Sequence, residues 1–105
     1  PWVLVERESG RFAGRGGLAW TAVEGVAEVE LPWSIEPHLH GRGLATEAAT
    51  AATAWARDLR LEEVVALILP SNHASQRVAE KTGFTPREEV VHAGLPHLLF
   101  RLRLD

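Results

Sequence analysis

Cysteine, methionine and tyrosine are all missing from this chain of 105 residues. Without cysteine there is no disulfide, no thiolate nucleophile and no cysteine zinc site. That same absence leaves the redox compartment open. No apolar run approaches the length needed to cross a bilayer. Repeats, linkers and low-complexity stretches are absent as well. Positive charge is in short supply: the formal net charge is −3 and the pI about 6.0, which argues against a nucleic-acid or anionic-membrane surface. What remains, 46% hydrophobic and 24% charged residues, is ordinary for a globular protein and predicts one domain over residues 1–105 with one modest core.

The chain is organised around a strand, a glycine-rich turn and a long helix between Val29 and Leu59. Gly41 and Gly43 let the backbone bend sharply and leave no side chain to block a ligand. The helix that follows begins with amide N–H groups lacking intrahelical partners, at the positive end of its dipole. Together these suit a phosphate or pyrophosphate, although a plain strand-to-helix turn has the same composition. A P-loop would need a lysine that is not there. A dinucleotide fingerprint would need a third glycine where Thr46 stands, and an acid after the run Val64–Leu69, which ends instead in Pro70-Ser71-Asn72.

A third phosphate-binding pattern fits. His40-Gly41-Arg42-Gly43-Leu44-Ala45 resembles the acyl-CoA pyrophosphate loop of the GNAT family of N-acetyltransferases, whose signature is Gln/Arg-x-x-Gly-x-Gly/Ala. Gly43 and Ala45 match, whereas His40 departs at the Gln/Arg position. The string Gly-Arg-Gly-Leu-Ala-Thr-Glu-Ala, residues 41–48, is similar to the branch containing ribosomal-protein N-terminal acetyltransferases. A second block, Asn72 to Phe84, is similar to the family's Asn-x-x-Ser … Glu-Lys-x-Gly-Phe segment. The resemblance runs from about Trp2 to the C-terminus. It implies an α/β (α+β) fold: a mixed, mostly antiparallel sheet with a parallel central pair and flanking helices. It also implies acetyl-CoA as donor, a peptide N-terminus or small-molecule amine as acceptor, a cytoplasmic location, and room for a homodimer. In the family a strand and one or two helices precede the point where Trp2 stands, so an N-terminal segment lining the acceptor is expected to be missing here.

The local patterns agree with that architecture. Trp2 to Glu6 and a run from Arg11 read as strands, with Gly14, Gly16 and Gly17 marking a bulge or a close backbone approach. Leu18, Trp20 and Ala22 alternate as one half-buried face. Ala27, Val29, Leu31 and Trp33 alternate with Glu28, Glu30 and Pro32, which puts the glutamates on one strand face. Pro32 lacks a ladder donor and predicts a splayed edge, which in the family opens a slot for the pantetheine arm. A helix over Leu44 to Arg60 carries a stripe of Leu44, Ala48, Ala52, Trp55, Ala56 and Leu59, with Trp55 as its bulky anchor and Thr53 off the stripe. Val64–Leu69 reads as a central strand, 74–82 as a second helix capped by Asn72 or Ser71 and stopped by Gly83, and 87–91 with 98–104 as a hairpin around Ala93–Pro96.

Within the resemblance, Glu30 holds the position of a glutamate base that takes the ammonium proton, or is a solvated strand residue; Glu28 points the same way. Many relatives protonate the leaving thiolate with a tyrosine where Ala79 stands here. Ser75 is the remaining candidate acid, unless it only caps its helix. The cofactor set is Trp33, Ser34, Ile35, His40, Gly41, Arg42, Gly43, Leu44, Ala45, Asn72 and Arg77. In that set Asn72 either bonds pantetheine amides or caps the second helix, and Arg42 and Arg77 either pair with CoA phosphates or stay in solvent. His38-x-His40 lacks a third metal ligand. The missing tyrosine and His40 leave open a catalytically weak CoA-binding relative with a regulatory or structural role.

Overall fold

Free of charge but for its first residue, the strand Glu63–Ile68 is apolar on both faces and lies at the centre of the larger sheet. The computed structural model describes residues 2–5, 12–35 and 43–104, and side chains from residue 15 except those of residues 35 and 87. In chain order the elements are β1 (Trp2–Val5), β2 (Phe12–Gly16), β3 (Ala19–Val23), β4 (Val26–Glu30), β5 (Ser34–Ile35), α1 (Leu44–Asp58), β6 (Glu63–Ile68), α2 (His73–Thr82), β7 (Thr85–His92) and β8 (Leu95–Arg103). One sheet has the order β1-β2-β5, the other β3-β4-β6-β8-β7. Among the described residues all pairings are antiparallel except β4 with β6, joined at Glu30 and Val65. This is the mixed, mostly antiparallel α/β arrangement with a parallel central pair.

One face of the larger sheet packs on the helices. Val64, Ala66 and Ile68 of β6 and Phe100 and Leu102 of β8 meet Ala49, Ala52 and Ala56 of α1 and Ala79 of α2. The small α1 residues bring the helix axis close to the sheet, and that closeness decides which stripe is buried. The buried set is Ala48, Ala49, Ala52, Thr53 and Ala56, so the helix is rotated from the expected stripe. Thr53 enters the core because its hydroxyl donates to the Ala49 carbonyl at 2.8 Å, which satisfies it internally. Trp55 does not fit the narrow gap and is 39% exposed, with Leu59 at 52%; neither is the anchor expected of it.

Both helices end by the same device. Arg60 (φ 61°) and Gly83 (φ 102°) turn left-handed, and the next residue, Leu61 or Phe84, donates back to Ala56 or Ala79 while packing on the core. α1 therefore stops at Asp58, slightly before the expected Arg60. The opposite sheet face carries a smaller cluster, Val23, Val65, Val90 and Leu99. Val23 and Val90 come from opposite edge strands, and the Val91 N–H donates to the Glu24 carboxylate at 3.4 Å, so the sheet curls until its edges approach. In β3 the expected alternation is displaced: Val23 is buried, while Trp20 is 76% exposed and Ala22 is exposed.

Candidate functional site

The parallel pair β4–β6 is held only at its start. Glu30 faces Val65, the Leu31 N–H donates to the Val65 carbonyl at 2.8 Å, and Pro32 then supplies no donor. The chain leaves β6 and crosses to the other sheet, where Ser34 pairs with Arg15 and Ile35 with Gly14. β6 runs on to Ile68. The parting strands open a cavity of about 230 Å³ lined by Glu30–Trp33, Ala66–Leu69, Asn72, Ser75 and His97. Pro32 thus produces the splay that the sequence predicts.

Glu30 is half-buried in this opening, and burial raises its carboxyl above its ordinary value; His92 and His97, when their rings are protonated, act in the other direction and favour the anion. Glu28, two residues earlier on the same strand face, is committed elsewhere. Arg101 of β8 donates to Glu28 at 2.8 Å and also to Glu63 of β6, tying three strands together. The hydrogen bond to Glu28 is the largest cause holding the Arg101 guanidinium above its ordinary value. Glu28 is therefore a structural residue, and Glu30 is the carboxylate left facing the cavity.

On the far wall, Asn72 caps α2 by accepting the Ser75 N–H at 3.1 Å. The capping alternative for Asn72 is realised, with its carboxamide nitrogen still available to a ligand. This cap uses the backbone of Ser75, so its hydroxyl remains on the cavity wall. The Gln76 carboxamide donates to the Pro70 carbonyl at 2.9 Å and steadies the turn into α2. Trp33 meets Phe84 edge to face, with ring centroids 6.4 Å apart, and forms the apolar flank.

Gly43 precedes α1 in a left-handed conformation (φ 75°), with no side-chain cap on the helix. A Cβ added there would meet nothing within 4 Å. The Glu47 N–H bonds the Gly43 carbonyl, and the amides of Leu44 and Ala45 lie in the uncapped first turn. Ser34 is exposed, and Arg77 is exposed on α2 and does not line the cavity. His38, His40, Gly41 and Arg42 lie outside the described residues, as does the side chain of Ile35. Among the described residues no group of His, Cys, Asp and Glu is placed to hold a metal ion.

His97 has no partner visible in sequence. The turn of the hairpin is tighter than expected, Ala93–Gly94 with left-handed φ angles of 52° and 77°, so Pro96 and His97 belong to β8. His97 then stacks edge to face on His92, with centroids 5.4 Å apart, and lines the cavity. Only the paired histidines flanking an Ala-Gly turn hinted at this in the sequence.

A fold with a parted parallel pair beneath an uncapped helix N-terminus defines a class, and comparison with known proteins gives it a name. Residues 1–85 match the model of the acetyltransferase (GNAT) domain, and the chain belongs to that family. Among its relatives is YkkB of Bacillus subtilis (strain 168), itself uncharacterised, which is 32% identical over 83 residues, 78% of this chain and 48% of that protein. A Bordetella pertussis structure described as a GnaT-family acetyltransferase shares 34% identity and a TM-score of 0.81, over 94% of this chain and 62% of that one. The structure of yncA from Salmonella typhimurium, described with its cofactor acetyl-CoA, gives 28% identity and a TM-score of 0.81, over 98% of this chain and 64% of that one. The chain thus spans about half to two thirds of the length of these relatives.

Proposed function

We propose that this chain is the acetyl-transfer part of an N-acetyltransferase that acetylates a primary amine by direct attack, with acetyl-CoA as donor. The observation that carries the reading is Glu30: a half-buried carboxyl, raised by that burial, in the opening where β4 and β6 part. The residues present fit acetyl-CoA. The open space over Gly43 and the uncapped α1 amides suit its pyrophosphate, with Leu44 and Ala45 in that turn. Trp33, the parted strand edges and the Asn72 carboxamide suit a narrow arm rich in amides. Acetyl-CoA would supply the acyl group activated as a thioester.

The chain's own residues then manage protons and charge. An ammonium acceptor loses one proton to Glu30, directly or through a water, and becomes nucleophilic. As the C–N bond forms and the C–S bond breaks, the nitrogen's second proton passes to the departing sulfur, relayed by the Ser75 hydroxyl or by water. The apolar flank of Trp33 and the β6 backbone restricts water around the reacting groups. The string at residues 41–48 favours the ribosomal-protein N-terminal branch, which makes a protein N-terminus the first acceptor to try.

The test is release of CoA thiol, with mass detection of the acetylated product, against benzylamine, spermidine and an alanine-initiated peptide. Glu30→Gln should lower turnover at pH 7 about 10²-fold, within the range of general-base effects, and leave acetyl-CoA affinity nearly unchanged. Higher pH should recover part of the rate, because more amine arrives neutral. Normal turnover by the variant would remove Glu30 from the chemistry. The absence of tyrosine supports a second reading, a CoA binder without useful turnover; it predicts acetyl-CoA binding with no product from any amine.

A further inference from the structure

The cavity has two polar walls that the acetyl-transfer reading uses unequally. Glu30 stands on β4, while His97 stands on β8, two strands away across β6. The His97 Nδ1 lies 3.0 Å from the Leu95 carbonyl. A carbonyl only accepts, so the proton of the neutral ring is on Nδ1 and the lone pair is on Nε2. His92 packs against this ring at an interplanar angle of 88° and limits its rotation.

An ammonium group carries three N–H donors, and one carboxylate does not satisfy them all in a half-buried opening. We propose that His97 is the second amine-holding residue of this site, its Nε2 accepting an N–H of the acceptor while Glu30 takes the proton. This deepens the acetyl-transfer reading and rests on it. The assignment selects acceptors that keep an N–H for His97 after Glu30 has taken a proton. It also explains why imidazole suits this wall better than lysine or arginine, which offer only donors.

Other charged groups on this sheet face do not compete for the role. Glu28 and Glu63 are paired with Arg101. By strand register, Arg103 of β8 and Glu88 and His92 of β7 share this face, but none of them lines the cavity. From α2 only Asn72 and Ser75 reach the cavity. Both His97 and Glu30 must be unprotonated for the pair to work.

The experiment compares His97→Leu with His97→Gln, which keeps an acceptor atom. With benzylamine, His97→Leu should raise the amine KM about tenfold with little change in the acetyl-CoA KM, and His97→Gln should recover most of the loss. Ring 15N spectra should show the His97 Nε2 signal shifting when benzylamine is added without acetyl-CoA. An unchanged amine KM in His97→Leu, or a His97 signal indifferent to benzylamine, would overturn the assignment. Failure of the parent protein to acetylate any amine while benzylamine still shifts His97 would instead overturn the acetyl-transfer reading.

Discussion

At the scale of a residue, Glu30 shows function and stability pulling apart. Its carboxyl is raised by burial, so the native state holds the neutral acid more readily than the unfolded chain does. The resulting stabilisation is fully present below the ordinary carboxylate value and is lost as pH rises through the raised one. Glu30→Gln never ionises and escapes that loss. The variant should therefore match or exceed the parent in thermal stability at pH 7 and lose this advantage as the pH falls toward 4, while turning over far more slowly. Melting curves across that range check the sign. Trp55 is the second instructive residue. Half in solvent, it should cost about 1–2 kcal/mol on replacement by alanine, well below the 3–5 kcal/mol of a buried aromatic.

At the scale of an element, most of the fold was legible and the reasons are specific. The continuous apolar run of β6, the Pro32 break after β4, the cap of α2 and the Gly83 stop each rest on one local rule; β6 falls within one residue of its expected place, and of the two expected caps Asn72 is the one used. The rotation of α1 was not legible, because alanines on neighbouring stripes, Ala48 and Ala52 on one and Ala49 and Ala56 beside it, leave the buried line undecided by tens of degrees. The tie was broken by how little room the sheet leaves, and by Thr53 satisfying its own hydroxyl. His97 was illegible because its place depends on a turn one step tighter than the pattern suggested. Gly43 gives the test for this scale. At φ 75° any other residue is strained, so Gly43→Val should lose about 1–3 kcal/mol of stability and weaken acetyl-CoA binding at least tenfold. Gly43→Asn, more tolerant of that backbone, should regain stability without regaining affinity, as calorimetry and melting would show.

At the scale of the whole molecule, the Glu28–Arg101–Glu63 triad clasps β4, β6 and β8 on the face that carries Glu30. Arg101→Met would leave two half-buried carboxylates beside each other and should cost about 1–3 kcal/mol in denaturant titrations. Its penalty should shrink in acid, where both carboxylates become neutral. The bonds that close this sheet also join distant parts of the chain: Arg101 to Glu28 across 73 positions and Val91 to Glu24 across 67. Such closures lose chain entropy before any contact repays it, which places folding in the millisecond-to-second range and not with fast helical proteins. They also impose an order on synthesis. β8 lies between β6 and β7 yet is made after both, so a growing chain can form its helices early but cannot complete the sheet until β8 follows. Until Leu95–Arg103 emerges, the nascent protein has Glu30 without its facing wall and β6 with an open edge, and that is the interval in which it most needs a chaperone.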